Sequence, residues 1–284
     1  MFSTVGIVGF GLIGGSMGAA LKKNSDIKII AIDKDESVVD YAVKNGMADE
    51  GSVNPSEALP KCDVVFIALY PELTKTFIKE NKDVFKKGSV VSDLCGIKSE
   101  IVSFVNSLGD VNFRFVGAHP MAGKEINGVT AADDVLYQGA SLLITPDEKT
   151  DRNAVEIIRR LGEIAGFGRI VEASPKRHDE IITYTSQLPH VMSVAYVLQN
   201  TFDKCDGFYA GSFEDMARVA KINENLWSEL FALNRDTLNK QIDEYVSALL
   251  TLKEQIGRGD YEILKETLKK SRELKEWKDE NYKR

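Results

Sequence analysis

One histidine, His119, stands in a stretch whose residue types could carry acid–base chemistry. The stretch reads GAHPMAGKE from Gly117 to Glu125, and it follows an apolar run, 113–116, that predicts a strand. Proline and two glycines predict a sharp turn after that strand. A histidine at the end of a strand, facing a loop, is where α/β enzymes commonly place catalytic groups. The alternative, which a lone histidine favours, is a buried residue that only caps the strand.

A second histidine, His190, follows Pro189 in a helical pattern over residues 178–202. The proline removes the hydrogen bond to the carbonyl of Thr185, so a kink is predicted beside the histidine. The kink could position His190 for binding. A core histidine bonded to a backbone carbonyl is an equally good interpretation of this spacing.

One cation, Arg218, is surrounded in the sequence by apolar residues, namely Met216, Ala217, Val219 and Ala220. An arginine on a helix is ordinarily a solvated charge. Here the apolar neighbours predict partial burial, and a buried guanidinium needs an anion from the protein or from a ligand.

The N-terminal segment contains a glycine fingerprint, Gly9-Phe10-Gly11-Leu12-Ile13-Gly14, between a predicted strand and a predicted helix. In a GxGxxG motif the glycines permit a tight turn, a close approach to a pyrophosphate and close packing of the helix on the strand. The free N–H groups of the helix then face the phosphates. Asp33 follows the next predicted strand at the spacing of a carboxylate that accepts the ribose hydroxyls, so NAD is favoured over NADP. Lys34 weakens that preference, because a cation could receive a 2′-phosphate.

The elements that must position these residues alternate between strand and helix over the first 172 residues, which predicts a doubly wound parallel sheet. Ligands bind at the carboxyl ends of such strands. Residues at those ends are Gly9, Asp33, Leu69, Tyr70, Pro71, Gly96 and His119. The predicted strands are 4–9, 27–32, 63–69, 89–92, 113–116 and 169–171, and the predicted helices are 12–23, 38–45, 74–85, 99–108 and 151–165.

Residues 173–284 lack strand patterns and predict an all-helical domain. After the helix over 178–202, further helices are predicted from about 212, over 234–252 and over 261–282. Their apolar faces are broader than a small bundle can bury alone, so this domain is predicted to form a homodimer.

Composition limits the class of protein. The chain has 284 residues, a net charge of −7 and 43% hydrophobic residues, as expected for a globular protein whose main partner is neither nucleic acid nor membrane. Its three cysteines, Cys62, Cys95 and Cys205, lie far apart, which predicts neither disulfides nor structural zinc and favours a cytoplasmic location. No metal site is predicted.

These motifs together resemble the prephenate and arogenate dehydrogenases of tyrosine biosynthesis. The resemblance covers nearly the whole chain and rests on five segments: Gly9–Gly14, Asp93–Lys98, Gly117–Gly123, His178-Asp179 with Ser186–His190, and Arg218–Ala220 with Trp227. It implies a Rossmann-type domain, residues 1–172, followed by an all-α dimerisation domain, residues 173–284. It also implies NAD-dependent oxidation of the C4 hydroxyl of prephenate with loss of CO₂, yielding 4-hydroxyphenylpyruvate.

The resemblance also implies the roles of single residues. His119 would accept the hydroxyl proton and Arg218 would bind a substrate carboxylate. His190 and Ser186 would contact substrate from the helical domain, while Glu125 and Asp215 match acidic positions at the mouth of the site. One position departs from the family pattern, because Gly96 stands where many members have a serine that holds the catalytic histidine. Cys95, Ser92, the Gly96 N–H or a water could replace it. Gln187 stands where a histidine is common.

Other functions fit parts of these patterns. An arogenate dehydrogenase would differ only in accepting an amino group where prephenate has a keto group. A β-hydroxyacid dehydrogenase also joins such a domain to helices, but it needs a lysine in the region where this chain has His190. A non-catalytic NAD-binding protein would share the fingerprint alone.

Overall fold

The computed structural model of the protein describes residues 2–282. Its larger sheet is parallel throughout, and its strands are β1 Thr4–Val8, β2 Lys28–Ile32, β3 Glu50–Ser52, β4 Val64–Ile67, β5 Val90–Asp93 and β6 Arg114–Phe115. Their order is β3-β2-β1-β4-β5-β6. Strands β2 and β3 are added on one side of β1 and strands β4 to β6 on the other, so the direction in which successive strands are added reverses between β1 and β4. This is the doubly wound sheet that the alternation predicts, and such a reversal opens a crevice at the carboxyl ends of the strands.

Helices cover both faces of this sheet, which explains why its central strands are nearly continuous apolar runs. They are α1 Leu12–Asn24, α2 Glu36–Lys44, α3 Pro55–Ala58, α4 Pro71–Asn81, α5 Ser99–Ser107 and α6 Arg152–Ile164. The short strand β3 was not predicted, because its three residues carry no β-type pattern.

A second, three-stranded sheet corrects the prediction for the segment around His119. Its strands are β7 Gly117–Pro120, β8 Ser141–Thr145 and β9 Arg169–Glu172; β7 pairs antiparallel with β8, and β8 pairs parallel with β9. His119 therefore lies within a strand, opposite Leu143, rather than in a turn. The chain can pass from one sheet to the other at Gly117, where an added Cβ would lie 2.4 Å from the Thr145 hydroxyl.

From residue 175 onward the regular elements are helical, and the α-helices are α7 Pro175–Ile182, α8 Leu188–Val197, α9 Gly211–Ala217, α10 Glu224–Leu233, α11 Arg235–Arg258 and α12 Tyr261–Asn281. The single kinked helix predicted over 178–202 is wrong in detail. A π-helical turn, Thr183–Gln187, separates α7 from α8 and ends just before Pro189. There the N–H of Leu188 bonds to the carbonyl of Thr183, so the turn widens next to the proline, which has no N–H to donate.

Two compact units divide the chain, one up to Arg235 and one from Asp236 onward. The first unit contains both sheets and helices α1 to α10. The boundary predicted at residues 172/173 stays a prediction. Within residues 2–282, no helix is long and apolar enough to cross a membrane.

Candidate active site

The glycine fingerprint forms the turn from β1 into α1. Gly9 has a φ of +79°, a conformation that a side chain would strain. At Gly14 an added Cβ would lie 2.2 Å from the Gly9 carbonyl, so only glycine lets the helix approach the strand this closely. At Gly11 an added Cβ would meet nothing, which leaves open space in front of a helix N-terminus that has neither a side-chain cap nor an acidic first turn.

Asp33 lies at the end of β2, beside this turn. Its carboxylate accepts hydrogen bonds from the backbone N–H groups of Phe10, at 2.9 Å, and Asp35, at 3.1 Å. Each carboxylate oxygen has a second lone pair. Both oxygens can therefore still accept ribose hydroxyls while the protein holds the carboxylate against the fingerprint.

A cavity of about 410 Å³ opens in front of the fingerprint. It brings together several predicted cofactor and substrate residues from both halves of the sequence, namely Gly11, Leu12, Ile13, Leu69, Tyr70, Pro71, Gly96, His119 and Ser186. The other predicted cofactor residues, Gly9, Phe10, Gly14 and Asp33, belong to the turn described above or bond to it, and they do not line this cavity.

A second cavity, of about 580 Å³, adjoins the first and shares His119, Lys124, Ser186 and Trp227 with it. Further lining residues are Glu125, His190, Arg218, Asn223 and Glu224. His119 thus lies on the wall of both cavities, between the fingerprint side and the side that holds Arg218.

The ring of His119 is hydrogen-bonded to a second histidine. Its Nδ1 lies 2.9 Å from Nε2 of His178, and Nδ1 of His178 lies 2.7 Å from Oδ1 of Asp179. His178 and Asp179 are only 2% and 5% exposed, so this series is shielded from solvent behind His119.

Burial keeps these rings neutral. It lowers the pKa of His119 well below its ordinary value of 6.5, and nearby His178 and Lys98 act in the same direction. Burial also lowers the pKa of His178, although its hydrogen bond to Asp179 opposes the shift. For Asp179, burial raises the pKa, but hydrogen bonds from His178 and Ser99 outweigh that effect and the net pKa is lowered. Two neutral imidazoles therefore adjoin an ionised carboxylate at neutral pH.

A buried ion pair lies beneath the same series. Lys98 is fully buried, and its Nζ bonds to the carboxylate of Asp93 and, at 2.6 Å, to the carbonyl of Ala118. Its backbone N–H donates to Asp179 at 2.9 Å, and the N–H of Ser99 donates to the other oxygen of Asp179 at 2.8 Å. Lys98 therefore contacts both the strand of His119 and the carboxylate that orients His178.

His190 lies on the far wall of the second cavity. Its Nδ1 donates to the carbonyl of Ser186 at 2.8 Å, and its ring stacks on Trp227 with centroids 3.7 Å apart. Burial lowers its pKa. Because Nδ1 is used by the backbone, Nε2 is the ring nitrogen that remains for a ligand.

Arg218 differs from its prediction. Its side chain is 62% exposed rather than partly buried, because it lies in a short 3₁₀ turn after α9 and reaches across the second cavity to form an ion pair with Glu125. Asp215 is also exposed and lines a different cavity, of about 540 Å³, alongside Tyr209 and Phe213. Within the described residues of one chain, Asp215 therefore does not line either cavity that contains His119.

Gly96 lies beside His119. A Cβ added there would lie 3.8 Å from Cε1 of His119. Two of the four suggested substitutes have other partners, since the Cys95 thiol contacts Thr74 and the Ser92 hydroxyl contacts the carbonyl of Asp93.

Sequence reasoning gave no role to Lys98, His178 or Asp179. His178-Asp179 and Lys98 entered only as letters of family motifs. The composition contains a signal that points to His178. The chain has only three histidines, and the structure brings all three together in this site.

The fold and the site together define a nucleotide-dependent enzyme with a Rossmann-type domain and a neutral histidine between two cavities. Residues 17–171 match the family model described as prephenate dehydrogenase, nucleotide-binding domain. Residues 174–270 match the model described as prephenate dehydrogenase, dimerization domain.

Named relatives agree with these models. The chain is 31% identical over 273 residues to the prephenate dehydrogenase of Bacillus subtilis (strain 168), covering 93% of this chain and 73% of that protein. It is 29% identical to the cyclohexadienyl dehydrogenase of Zymomonas mobilis, covering 97% of this chain and 96% of that protein. A crystal structure of prephenate dehydrogenase from A. aeolicus, in complex with hydroxyphenyl propionate and NAD+, has a TM-score of 0.85 at 28% identity and covers 97% of this chain and 98% of that one.

The chain belongs to the prephenate dehydrogenase family. The predicted family, fold class and enzyme class are thereby confirmed. The prediction of NAD as cofactor is confirmed by the nucleotide-binding domain and by the NAD+ in the solved relative.

Proposed function

We propose that the protein catalyses NAD-dependent oxidative decarboxylation of prephenate to 4-hydroxyphenylpyruvate, a step of tyrosine biosynthesis. The observation that carries the proposal is the position of His119, on the wall of both the fingerprint cavity and the cavity that contains His190 and Arg218. A base at this boundary can take a hydroxyl proton while a hydride crosses to the cofactor. The names of the relatives support the same reaction.

The fingerprint residues fit a dinucleotide. Gly11 leaves space for the pyrophosphate, α1 offers uncapped N–H groups, and Asp33 offers lone pairs for the ribose hydroxyls. Asp33 would repel a 2′-phosphate, which favours NAD over NADP. When bound, NAD+ supplies the hydride acceptor. Leu69, Tyr70 and Pro71 form the adjoining wall.

His119 acts as the general base on the C4 hydroxyl. It accepts the hydroxyl proton as the C4–H bond breaks and its hydride leaves. The bond from the ring to its carboxylate then breaks, CO₂ leaves, and the electron pair moves through the ring to the C4 oxygen. That oxygen takes back the proton from His119, so the phenol forms with no net release of a proton. Aromatisation makes the second step favourable, and neither a metal nor a covalent intermediate is required.

The cavity that holds Arg218 receives the rest of the substrate. Arg218 binds a carboxylate in place of its present partner Glu125, since a guanidinium fork matches carboxylate geometry. His190 and Ser186 supply further polar contacts, and Gly96 leaves room beside His119 for the hydroxyl. Glu125 and Asp215 set the charge at the entrance, with Asp215 acting from a second subunit because it lies outside the site of its own chain.

The active form is a homodimer that associates through its helical part. The dimerization-domain model over residues 174–270 supports this assembly, as do the exposed apolar side chains of α11 and α12.

Initial-rate assays test the reaction. Prephenate and arogenate are each supplied with NAD+ and with NADP+, and formation of the reduced cofactor is followed. We expect prephenate with NAD+ to give the highest kcat/KM. Preference for arogenate would assign the alternative arogenate dehydrogenase activity, and turnover of neither substrate would contradict the proposed function.

The role of His119 has its own test. His119→Ala should lower kcat by about 10²–10⁴-fold, because general-base catalysis typically accelerates a reaction by that factor. NAD+ should still bind, because the substitution leaves the glycine fingerprint unchanged. A change in kcat of less than about threefold would contradict the role of His119 as the general base.

A further inference from the structure

Two hydrogen bonds in series determine which nitrogen of His119 carries its proton. The ionised carboxylate of Asp179 can only accept, so Nδ1 of His178 donates to it. A neutral His178 then has a lone pair at Nε2, and Nδ1 of His119 must donate to that lone pair. A neutral His119 protonated at Nδ1 has its lone pair at Nε2, the nitrogen that the series leaves unused.

We propose that His178 and Asp179 are positioning residues that hold His119 in the tautomer protonated at Nδ1, with Nε2 free to accept the substrate proton, and that Lys98 fixes both ends of this series. The inference rests on the proposed function, because it assigns the support of the base in that reaction. It also accounts for a hydrogen-bonded His119 ring although Gly96 has no hydroxyl. Among residues 2–282, the hydrogen-bond partner of the His119 ring is His178.

Lys98 fixes the series by two separate routes. Its Nζ donates to the carbonyl of Ala118, the residue before His119, and this holds the backbone of the strand. Its backbone N–H and that of Ser99 each donate to one oxygen of Asp179. The carboxylate therefore lies at the N-terminus of α5, where the helix dipole favours a negative charge. Because Lys98 is fully buried and paired with Asp93, this geometry has little freedom to change.

The charges around the two rings come from several elements. They are Asp179 on α7, Lys98 ahead of α5, Asp93 at the end of β5, and Lys124, Glu125 and Arg218 on the cavity walls, where the titratable ring of His190 also lies. Asp179 alone among them is bonded directly to a ring of the series. Replacing His178 therefore changes the hydrogen bond at Nδ1 of His119 while leaving every one of these charges in place.

Nitrogen NMR of ¹⁵N-histidine-labelled protein reads the tautomer directly and needs no substrate. The chain has three histidines, so three rings give signals, and loss of one set in His119→Gln and another in His190→Gln assigns them. We expect His119 in the unmodified protein to carry its proton on Nδ1. His190→Gln should leave that state unchanged. A proton on Nε2 of His119 would overturn the inference.

Two substitutions at His178 connect the tautomer to catalysis. His178→Phe keeps an aromatic ring but offers no acceptor, whereas His178→Gln offers an amide oxygen to Nδ1 of His119. We expect His178→Phe to lower kcat by about 10²-fold with KM values changed less than about threefold, and to shift the His119 proton toward Nε2. His178→Gln should recover about tenfold or more of the lost kcat and restore the tautomer.

The outcomes separate this inference from the function on which it rests. If prephenate is turned over but His178→Phe keeps kcat within about threefold, or His178→Gln is as impaired as His178→Phe, the positioning role is wrong and the reaction stands. If His119 carries its proton on Nδ1 but neither prephenate nor arogenate is turned over, the tautomer assignment stands and the proposed reaction fails.

Discussion

At the scale of single residues, the lowered pKa of His119 gives a prediction for the pH range of the proposed reaction, in which His119 is the base. Burial, His178 and Lys98 all shift this pKa below 6.5, and only the neutral ring can act as a base. We therefore expect kcat/KM to stay level as the pH falls through 6.5 and to decline only at lower pH. A profile measured between about pH 4.5 and 8 checks this, and a half-maximal point at 6.5 or above would contradict it.

The same shift also affects stability. The unfolded chain binds a proton at His119 near pH 6.5, whereas the folded chain does so only at lower pH. The stability that this group contributes is therefore fully present above 6.5 and is lost as the pH falls toward the pKa of the folded state.

Arg218 gives a second prediction at this scale, on substrate binding. Arg218→Ala should raise the KM for prephenate about tenfold or more, because a hydrogen-bonded charge pair is lost, and leave the KM for NAD+ unchanged. Arg218→Lys should recover only part of the loss, since an ammonium cannot form the bidentate fork. Lys221→Ala is the matched control, because it removes another exposed cation from the same cavity. An equal rise in KM for Lys221→Ala would indicate general electrostatics rather than a specific contact.

The site was only partly predictable from sequence at this scale. A glycine fingerprint and a histidine after an apolar run are local signals, so the cofactor side and His119 could be identified. The contact between Asp179 and Lys98 joins residues 81 positions apart, and it depends on how α7 packs against the start of α5. The exposure of Arg218 likewise depends on where α9 ends and the 3₁₀ turn begins, which its apolar neighbours in the sequence do not determine.

At the scale of elements, the period of the apolar pattern predicted most strands and helices but not their partners. The apolar run 113–116 predicts a strand that leads to His119 in a loop, yet strand β6 ends at Phe115 and the chain starts a second sheet at Gly117. Strand β8, which pairs with it, comes after a polar segment and lacks a clear alternation. Pro189 predicts an irregular helix, but whether that helix kinks or widens depends on which N–H groups bond to the carbonyls that the proline leaves without a donor.

Two hydrogen bonds fasten helix α10 to the start of α4, and they give a prediction at this scale. Nδ2 of Asn223 lies 2.9 Å from the hydroxyl of Tyr70, and the carboxylate of Glu229 accepts from the N–H of Glu72. Tyr70 lines the fingerprint cavity, and α10 carries Trp227, which lines both cavities, so this junction connects α10 to the wall of the fingerprint cavity. We expect Tyr70→Phe and Asn223→Ser each to raise the KM for NAD+ by about two- to tenfold, the value of one hydrogen bond.

A double-mutant cycle provides the check. Serine at 223 can still cap α10, a role that Asn223 now fills through Leu226, so the variant removes the contact with Tyr70 without removing the cap. The combined variant should be no worse than either single one, since both remove the same bond. Additive effects on the KM for NAD+ would show that the two residues act independently.

At the scale of the whole molecule, the negative net charge of the chain opposes the binding of the proposed anionic substrate. The chain carries a charge of −7, and its proposed substrate is a dianion, so long-range attraction is unfavourable. Three cations line the cavity near the entrance, namely Lys124, Arg218 and Lys221, and two of them are paired with carboxylates of the protein. The net charge argues against nucleic acid as a main partner, but it says nothing about a small anion, whose binding depends on this local arrangement.

Helix α11 exposes an apolar stripe that the proposed dimer would cover, and this gives the last prediction. Val246, Leu249 and Leu250 are 43%, 46% and 57% exposed, and their spacing places them on one side of the helix. Leu250→Asp puts a charge in that stripe, so sedimentation at micromolar protein should shift from dimer toward monomer. Thr251→Asp is the matched control, because it adds the same charge to an exposed position about 100° around the helix. If Asp215 acts from a second subunit, the monomer of Leu250→Asp should also lose turnover of prephenate while still binding NAD+. An unmodified protein that sediments as a monomer, or a Leu250→Asp variant that stays dimeric, would contradict association through this stripe.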